Sequence, residues 1–161
     1  MAIELRSPDE LSCVLIPQRG VPLLLPNESV AEILRGGEVQ PREEVPPWLL
    51  GTLVWRGLTI PVVNVAAVTT DADVDPGRHE GGPLVVLNRS RALPTLPFYA
   101  MPTRGVPRLV RLLEEDLNLL VLEDPDSDAA ALGLSVRLGS EEAFIPRLEA
   151  VEDLLLSYLP H

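Results

Sequence analysis

Short apolar runs broken by turn residues dominate the chain. Leu11 to Leu25 holds two such runs on either side of Gln18-Arg19-Gly20, and this predicts a β-hairpin. Residues 27 to 34 fit either a short helix capped by Asn27 or a bent strand, ended in both cases by Gly36-Gly37. Residues 38 to 47 are charged and Pro-rich, the mark of a loop. Leu49 to Val65 is the densest apolar stretch and splits at Arg56-Gly57, which predicts a second hairpin. Pro61 within it is tolerable only at an edge or a bulge. Leu84 to Leu87 reads as a buried strand. Leu96 to Met101 and Val106 to Leu113 read as a strand pair around Thr103-Arg104-Gly105. Leu132 to Leu138 and Ala143 to Leu148 flank Gly139-Ser140-Glu141-Glu142, a third hairpin. In the tail, Leu148, Val151, Leu154, Leu155 and Leu159 recur at helical spacing, so the pattern predicts one terminal helix. Roughly nine short strands joined by turns favour barrels or a sandwich.

Composition sharpens this picture. Of 161 residues, 46% are hydrophobic but only 4% aromatic, so Leu, Val, Ile and Ala must build the core. Seventeen Pro and eleven Gly favour many short elements over long helices. No apolar run approaches the ~20 residues a membrane helix needs. The opening Met1-Ala2-Ile3-Glu4-Leu5-Arg6 lacks the cationic and apolar regions of a signal peptide. Cys13 is the only cysteine, which rules out a disulfide framework within the chain and fits a reducing cytoplasm. Its apolar surroundings make it a buried small hydrophobe. The net charge of −11 repels nucleic acid and anionic membrane. Arg104, Arg108 and Arg111 cluster, but Glu114, Glu115 and Asp116 follow, so the cluster reads as mixed-charge surface.

Chemistry-bearing motifs are scarce. Asp71, Asp73 and Asp75 alternate, as do Asp124, Asp126 and Asp128. A calcium loop needs Gly at its sixth position and Glu at its twelfth. These segments place Pro76 and Gly82, or Ala129 and Ser135, there, and read as solvated acidic loops. His79 and His161 are not placed to activate a serine, and no phosphate-binding loop or metal-ligand spacing exists. The expectation is a protein without catalytic residues, metal or cofactor. Glu32 and Arg56 are charges embedded in apolar sequence, so each must reach water or find a partner. Two strands of one small barrel could bring them together. Trp55 is either a core anchor or an interface anchor, while Trp48, after Pro46-Pro47, favours the core.

The stretch Pro47 to Val65 carries a resemblance. Gly51-x-x-x-x-Arg56-Gly57 is followed by Ile60-Pro61-Val62-Val63-Asn64-Val65, and this resembles the signature of CheW-like domains. Val30-Ala31-Glu32-Ile33-Leu34 resembles that family's V-x-E-aliphatic segment, and Phe144 to Leu155 its closing strand and helix. The resemblance implies an all-β fold of two small five-stranded barrels sharing a core, with a C-terminal helix. The whole chain, 1–161, would be one such domain, with residues 1–10 flexible. The resemblance also implies a cytoplasmic adaptor that couples the cytoplasmic tip of a methyl-accepting chemoreceptor to the regulatory domain of a CheA-type histidine kinase. Glu32, Trp55, Arg56 and Gly57 would form the protein-binding site. The run from Phe98 to Leu109 resembles the ChpC-like accessory adaptors of chemosensory pili systems. Two departures stand out: Trp55 replaces a usual polar residue, and Thr103-Arg104-Gly105-Val106 replaces V-D-x-V, a base where the family has an acid. The alternative is a binding module of the same family that docks to receptor or pilus-system partners without coupling a kinase.

Overall fold

The computed structural model describes residues 10–70, 81–88, 97–119 and 133–158. Its strands form two sheets. The first has the order β8-β1-β2-β11-β10-β9, built from β1 (Glu10–Ile16), β2 (Leu23–Pro26), β8 (Arg108–Leu113), β9 (Leu117–Leu119), β10 (Gly133–Leu138) and β11 (Glu141–Pro146). The second has the order β3-β6-β7-β5-β4, from β3 (Val30–Leu34), β4 (Leu49–Trp55), β5 (Leu58–Val63), β6 (Leu84–Asn88) and β7 (Phe98–Pro102). Two helices accompany them, α1 (Val65–Thr70) and α2 (Leu148–Leu156). The chain is therefore mostly β, with two barrel-like subdomains and a C-terminal helix. The first sheet gains a sixth strand in β9, only three residues long.

Burial explains the division. Leu53, Trp55, Ile60, Val62, Leu84, Val86 and Ala100 fill the five-stranded subdomain. Cys13, Leu15, Leu24, Leu112, Val136 and Ala143 fill the six-stranded one. A third cluster draws Val14, Ile16, Leu23 and Leu25 from one sheet and Leu49, Val63, Val85, Leu87, Tyr99 and Met101 from the other, with both helices packed on it. Strand alternation makes this possible, because β1 sends Cys13 and Leu15 one way and Val14 and Ile16 the other. The Cys13 thiol is buried, and that burial pushes its pKa up, as suits a packing residue.

The three hairpins form where turn residues place them. The first pairs Cys13↔Pro26 through Ile16↔Leu23, and the second closes on Trp55↔Leu58. The third turns on Gly139 and Ser140 alone, since Glu141 and Glu142 already belong to β11. Residues 27–29 form one 3-10 turn, without an Asn27 side-chain cap, and then enter β3; the bent-strand alternative holds. Glu10 already lies in β1, while residues 1–9 fall outside the described residues, as do His79 and the two alternating-Asp segments.

Two expectations change and a third holds in part. The runs around Thr103-Arg104-Gly105 do not pair with each other: β7 pairs β6 and β5, while β8 pairs β1 in the other sheet. That segment is a crossover between subdomains. Its backbone is committed elsewhere, with Arg104 N–H donating to the Pro17 carbonyl (2.9 Å) and Thr103 N–H to that of Pro83 (3.1 Å). Pro61 sits in β5, which is not an edge strand, but it stands beside a bulge, the register shift of the β4–β5 pairing between Leu49 and Gly51. Its cross-strand partner Thr52 gives both backbone groups to Gln40 (2.9 and 2.8 Å), so Thr52–Pro61 is a non-hydrogen-bonded pair. The missing Pro61 donor therefore faces β7, where pairing is a single bridge, Val62↔Ala100. Helix α1 was not foreseen. Asn64 starts it, its Oδ1 accepting from Ala67 N–H at 3.1 Å.

Candidate functional site

The second hairpin ends in a two-residue turn. Arg56 (φ 48°) and Gly57 (φ 78°) both adopt positive φ, the backbone of a type I′ turn that matches strand twist. Gly57 takes this conformation at no steric cost, but Arg56 does not. A long cationic side chain in a left-handed position suggests selection for something other than the turn itself.

Two side chains fix its head. Trp55 Nε1–H donates to Glu32 Oε2 at 2.5 Å. Arg56 Nη2 donates to the other oxygen, Oε1, at 3.4 Å. The Arg56 guanidinium also lies over the Trp55 ring, 5.1 Å from its centroid. Trp55 itself is only 9% exposed and meets Phe98 edge-on at 4.8 Å. Glu32 is half-buried, at 34% side-chain exposure, whereas Arg56 stands out at 69%. The Trp55 hydrogen bond foremost, with help from the Arg56 charge, holds the Glu32 carboxyl below its ordinary pKa.

Topology gives the group a second task. Strands β3 and β4 are the two edges of the five-stranded sheet. The Glu32–Trp55 bond joins them across the seam, and a Gln40↔Thr52 bridge covers β4 nearby. Gly51 is required at that bridge. With φ at 144°, a Cβ there would stand 2.0 Å from the Gln40 carbonyl oxygen. The glycine of the G-x-x-x-x-R-G pattern thus admits a backbone crossing five residues before the exposed arginine.

All four sequence-predicted site residues meet at this tip, but not in equal roles. Glu32 and Arg56 pair, as their placement in apolar sequence predicts. Trp55 proves a core residue and the hinge of the group, and its ring positions the Arg56 head. Outward-facing Val54 (72% exposed) and half-exposed Leu58 supply apolar surface beside it. Sequence reading missed these two, although strand alternation from buried Leu53 and Trp55 assigns Val54 to the outer face. Trp48 packs edge-on against Tyr158 at 5.6 Å on the shared core, as expected. Among the described residues no group of His, Cys, Asp and Glu could hold a metal ion.

A family model described as the CheW-like domain matches residues 12–151. The structure is similar to the crystal structure of the scaffolding protein TtCheW from Thermoanaerobacter tengcongensis, with a TM-score of 0.65 over 85% of this chain and 88% of that one. Identity is 13%, so this likeness speaks for the fold. No curated protein matches the chain in sequence.

Proposed function

The chain belongs to the CheW-like domain family, and on that premise we propose that it is a non-catalytic adaptor of chemotaxis-type signalling. In this reading it works in the cytoplasm and joins the tip of a methyl-accepting chemoreceptor to the regulatory domain of a CheA-type histidine kinase. The ChpC-like run from Phe98 to Leu109 favours a type IV pilus output. One observation carries the docking assignment: Glu32 and Trp55 hold an exposed Arg56 head on a strained hairpin tip, flanked by Val54 and Leu58. A fixed arginine beside apolar residues is the composition of an interface anchor. Preorganisation lowers the entropy lost on binding.

The test is calorimetric titration of the protein with a CheA-type regulatory domain and, separately, with a receptor-tip fragment from the same genome. Arg56→Ala is expected to weaken one of them at least about tenfold, the scale of a moderate hot spot, with the circular dichroism spectrum unchanged. Unaltered binding of both overturns the tip assignment. Binding of the receptor fragment alone identifies the non-coupling module instead.

A further inference from the structure

The C-terminal helix reaches from one subdomain to the other. Arg147 is the single residue between β11, in the six-stranded sheet, and α2. Midway along the helix the Glu152 carboxylate accepts from the hydroxyl of Tyr99 on β7, in the five-stranded sheet, at 3.4 Å. Just past the helix end, Tyr158 meets Trp48, and Trp48 leads directly into β4. Between these points Leu148, Val151 and Leu155 pack into the cluster shared by both sheets. The helix is thus tied to one subdomain by the chain itself and to the other by side chains.

As a helix it has little strength of its own. Its nine residues are fewer than the ~12–15 at which an isolated helix begins to hold in water. No side chain caps its start, and no basic residue stands in its last turn to meet the dipole. Glu149 and Asp153 lie four apart on one face, a like-charge pair. Packing must therefore hold it, and that packing includes an acid: Glu152 is only 2% exposed. A carboxylate buried so deeply costs free energy even when hydrogen-bonded, and 3.4 Å is long for an O–H···O bond. The sheets, by contrast, do not lean on α2. Every strand finds its pairing without it, and the separate filling of each subdomain contains no residue of the helix.

From this we infer that α2 is a releasable strap over the subdomain junction: it opens by local unfolding while both sheets stay folded, and the buried Glu152 sets how readily it lets go. Local openings of this kind fall on elements whose own stability lies below that of the whole. In the closed state the strap fastens the end of the chain to β7 and to the base of β4. Opening returns the Glu152 carboxylate to water, so the acid favours release, whereas an apolar residue in its place would hold the helix down. The Tyr99 hydroxyl acts the other way, since it repays part of the cost of burial and favours closure. The pair makes closure reversible at a point where leucine would make it permanent.

The experiment is native-state hydrogen exchange of the full chain, read residue by residue by NMR. In the unaltered protein the amides of residues 152–156 are expected to exchange at least about tenfold faster than those of β6, which open only with the whole fold. Leu53→Ala lies in the filling of the five-stranded subdomain, away from α2. It should speed exchange in β6 and leave that of α2 unchanged, because a separate opening does not break Leu53 contacts. Tyr99→Phe takes this donor from the buried acid and should speed α2 exchange by about tenfold. Adding Glu152→Leu removes the acid as well and should slow α2 to the unaltered rate or below. No readout depends on the docking assignment. Equal exchange of α2 and β6 in the unaltered chain, equal acceleration of both by Leu53→Ala, or a double variant whose α2 exchanges as fast as in Tyr99→Phe alone overturns the inference.

Discussion

Single side chains decide how the hairpin tip behaves. Glu32 has a folded pKa below its unfolded value of about 4.3. The linked stability is therefore fully present above that unfolded value and is lost as pH falls through the depressed folded one. Carboxyl titration by NMR should show the low value directly. Trp55→Phe, which keeps the ring in the core but removes Nε1–H, should raise it more than Arg56→Ala does, because the indole bond is the larger cause. An equal or greater rise in Arg56→Ala would contradict the assignment. Arg56 poses a different question, since its side chain acts while its backbone is strained. Arg56→Gly and Arg56→Ala remove the same charge, but only glycine relieves the left-handed conformation. Arg56→Gly is expected to be more stable than Arg56→Ala by about 1 kcal/mol in denaturant melts, with docking equally weakened in both. The pair Glu32–Arg56 was legible in sequence because each charge interrupts an apolar run. Trp55 was not legible as their shared partner, because burial of one ring face cannot be read from neighbours in the chain.

At the scale of elements, local pattern told truth about turns and less about partners. Arg56-Gly57 and Gly139-Ser140 announce hairpins because two-residue turns need positive φ. Thr103-Arg104-Gly105 looks the same in sequence yet connects two sheets, since its hydrogen bonds go to Pro17 and Pro83, far away in the chain. Strand β9 is too short for alternation to show, and α1 hides in what reads as the end of a strand. In α2 the period of 3.6 places Leu148, Val151 and Leu155 inside, as expected, but Leu154 faces outward. The buried place beside them goes to Glu152, which accepts from the Tyr99 hydroxyl at 3.4 Å. An acid among leucines gives no sign in sequence that its partner lies on a strand of the other subdomain. Two element-scale outcomes can be checked. Asn64→Ala removes the α1 cap and should cost about 1 kcal/mol. Gly51→Ala should cost more, because the Gln40 carbonyl cannot be moved without breaking the bridge that covers β4. A Gly51→Ala midpoint at or above the unaltered one would contradict the clash of an added Cβ with the Gln40 carbonyl.

The whole molecule is bound together by the cluster that neither subdomain owns. Each small barrel has its own filling, yet β1, β2, β5, β6 and β7 send every second side chain across to the other subdomain. Strand order reinforces this: β1 and β2 from the start of the chain sit beside β11 from its end, so the six-stranded sheet is incomplete until the five-stranded one has been laid down between them in sequence. Helix α2 then covers the shared cluster with Val151 and Leu155, both fully buried. The two subdomains should therefore unfold as one, despite looking like two barrels. Leu155→Ala deletes buried methyls at the junction and should destabilise the chain by about 2–5 kcal/mol. Leu53→Ala does the same inside the five-stranded subdomain alone. Followed by Trp fluorescence, which reports mainly Trp48 at the junction and Trp55 in the five-stranded core, and by far-ultraviolet dichroism, which reports all strands, each variant should show a single transition coincident in both probes. Separate midpoints in Leu155→Ala would mean that the junction is an interface between independently stable units. In that case a docking partner could shift one subdomain against the other. A single midpoint makes the chain one rigid body, with the Arg56 tip held at a set distance from the six-stranded subdomain by the shared cluster between them.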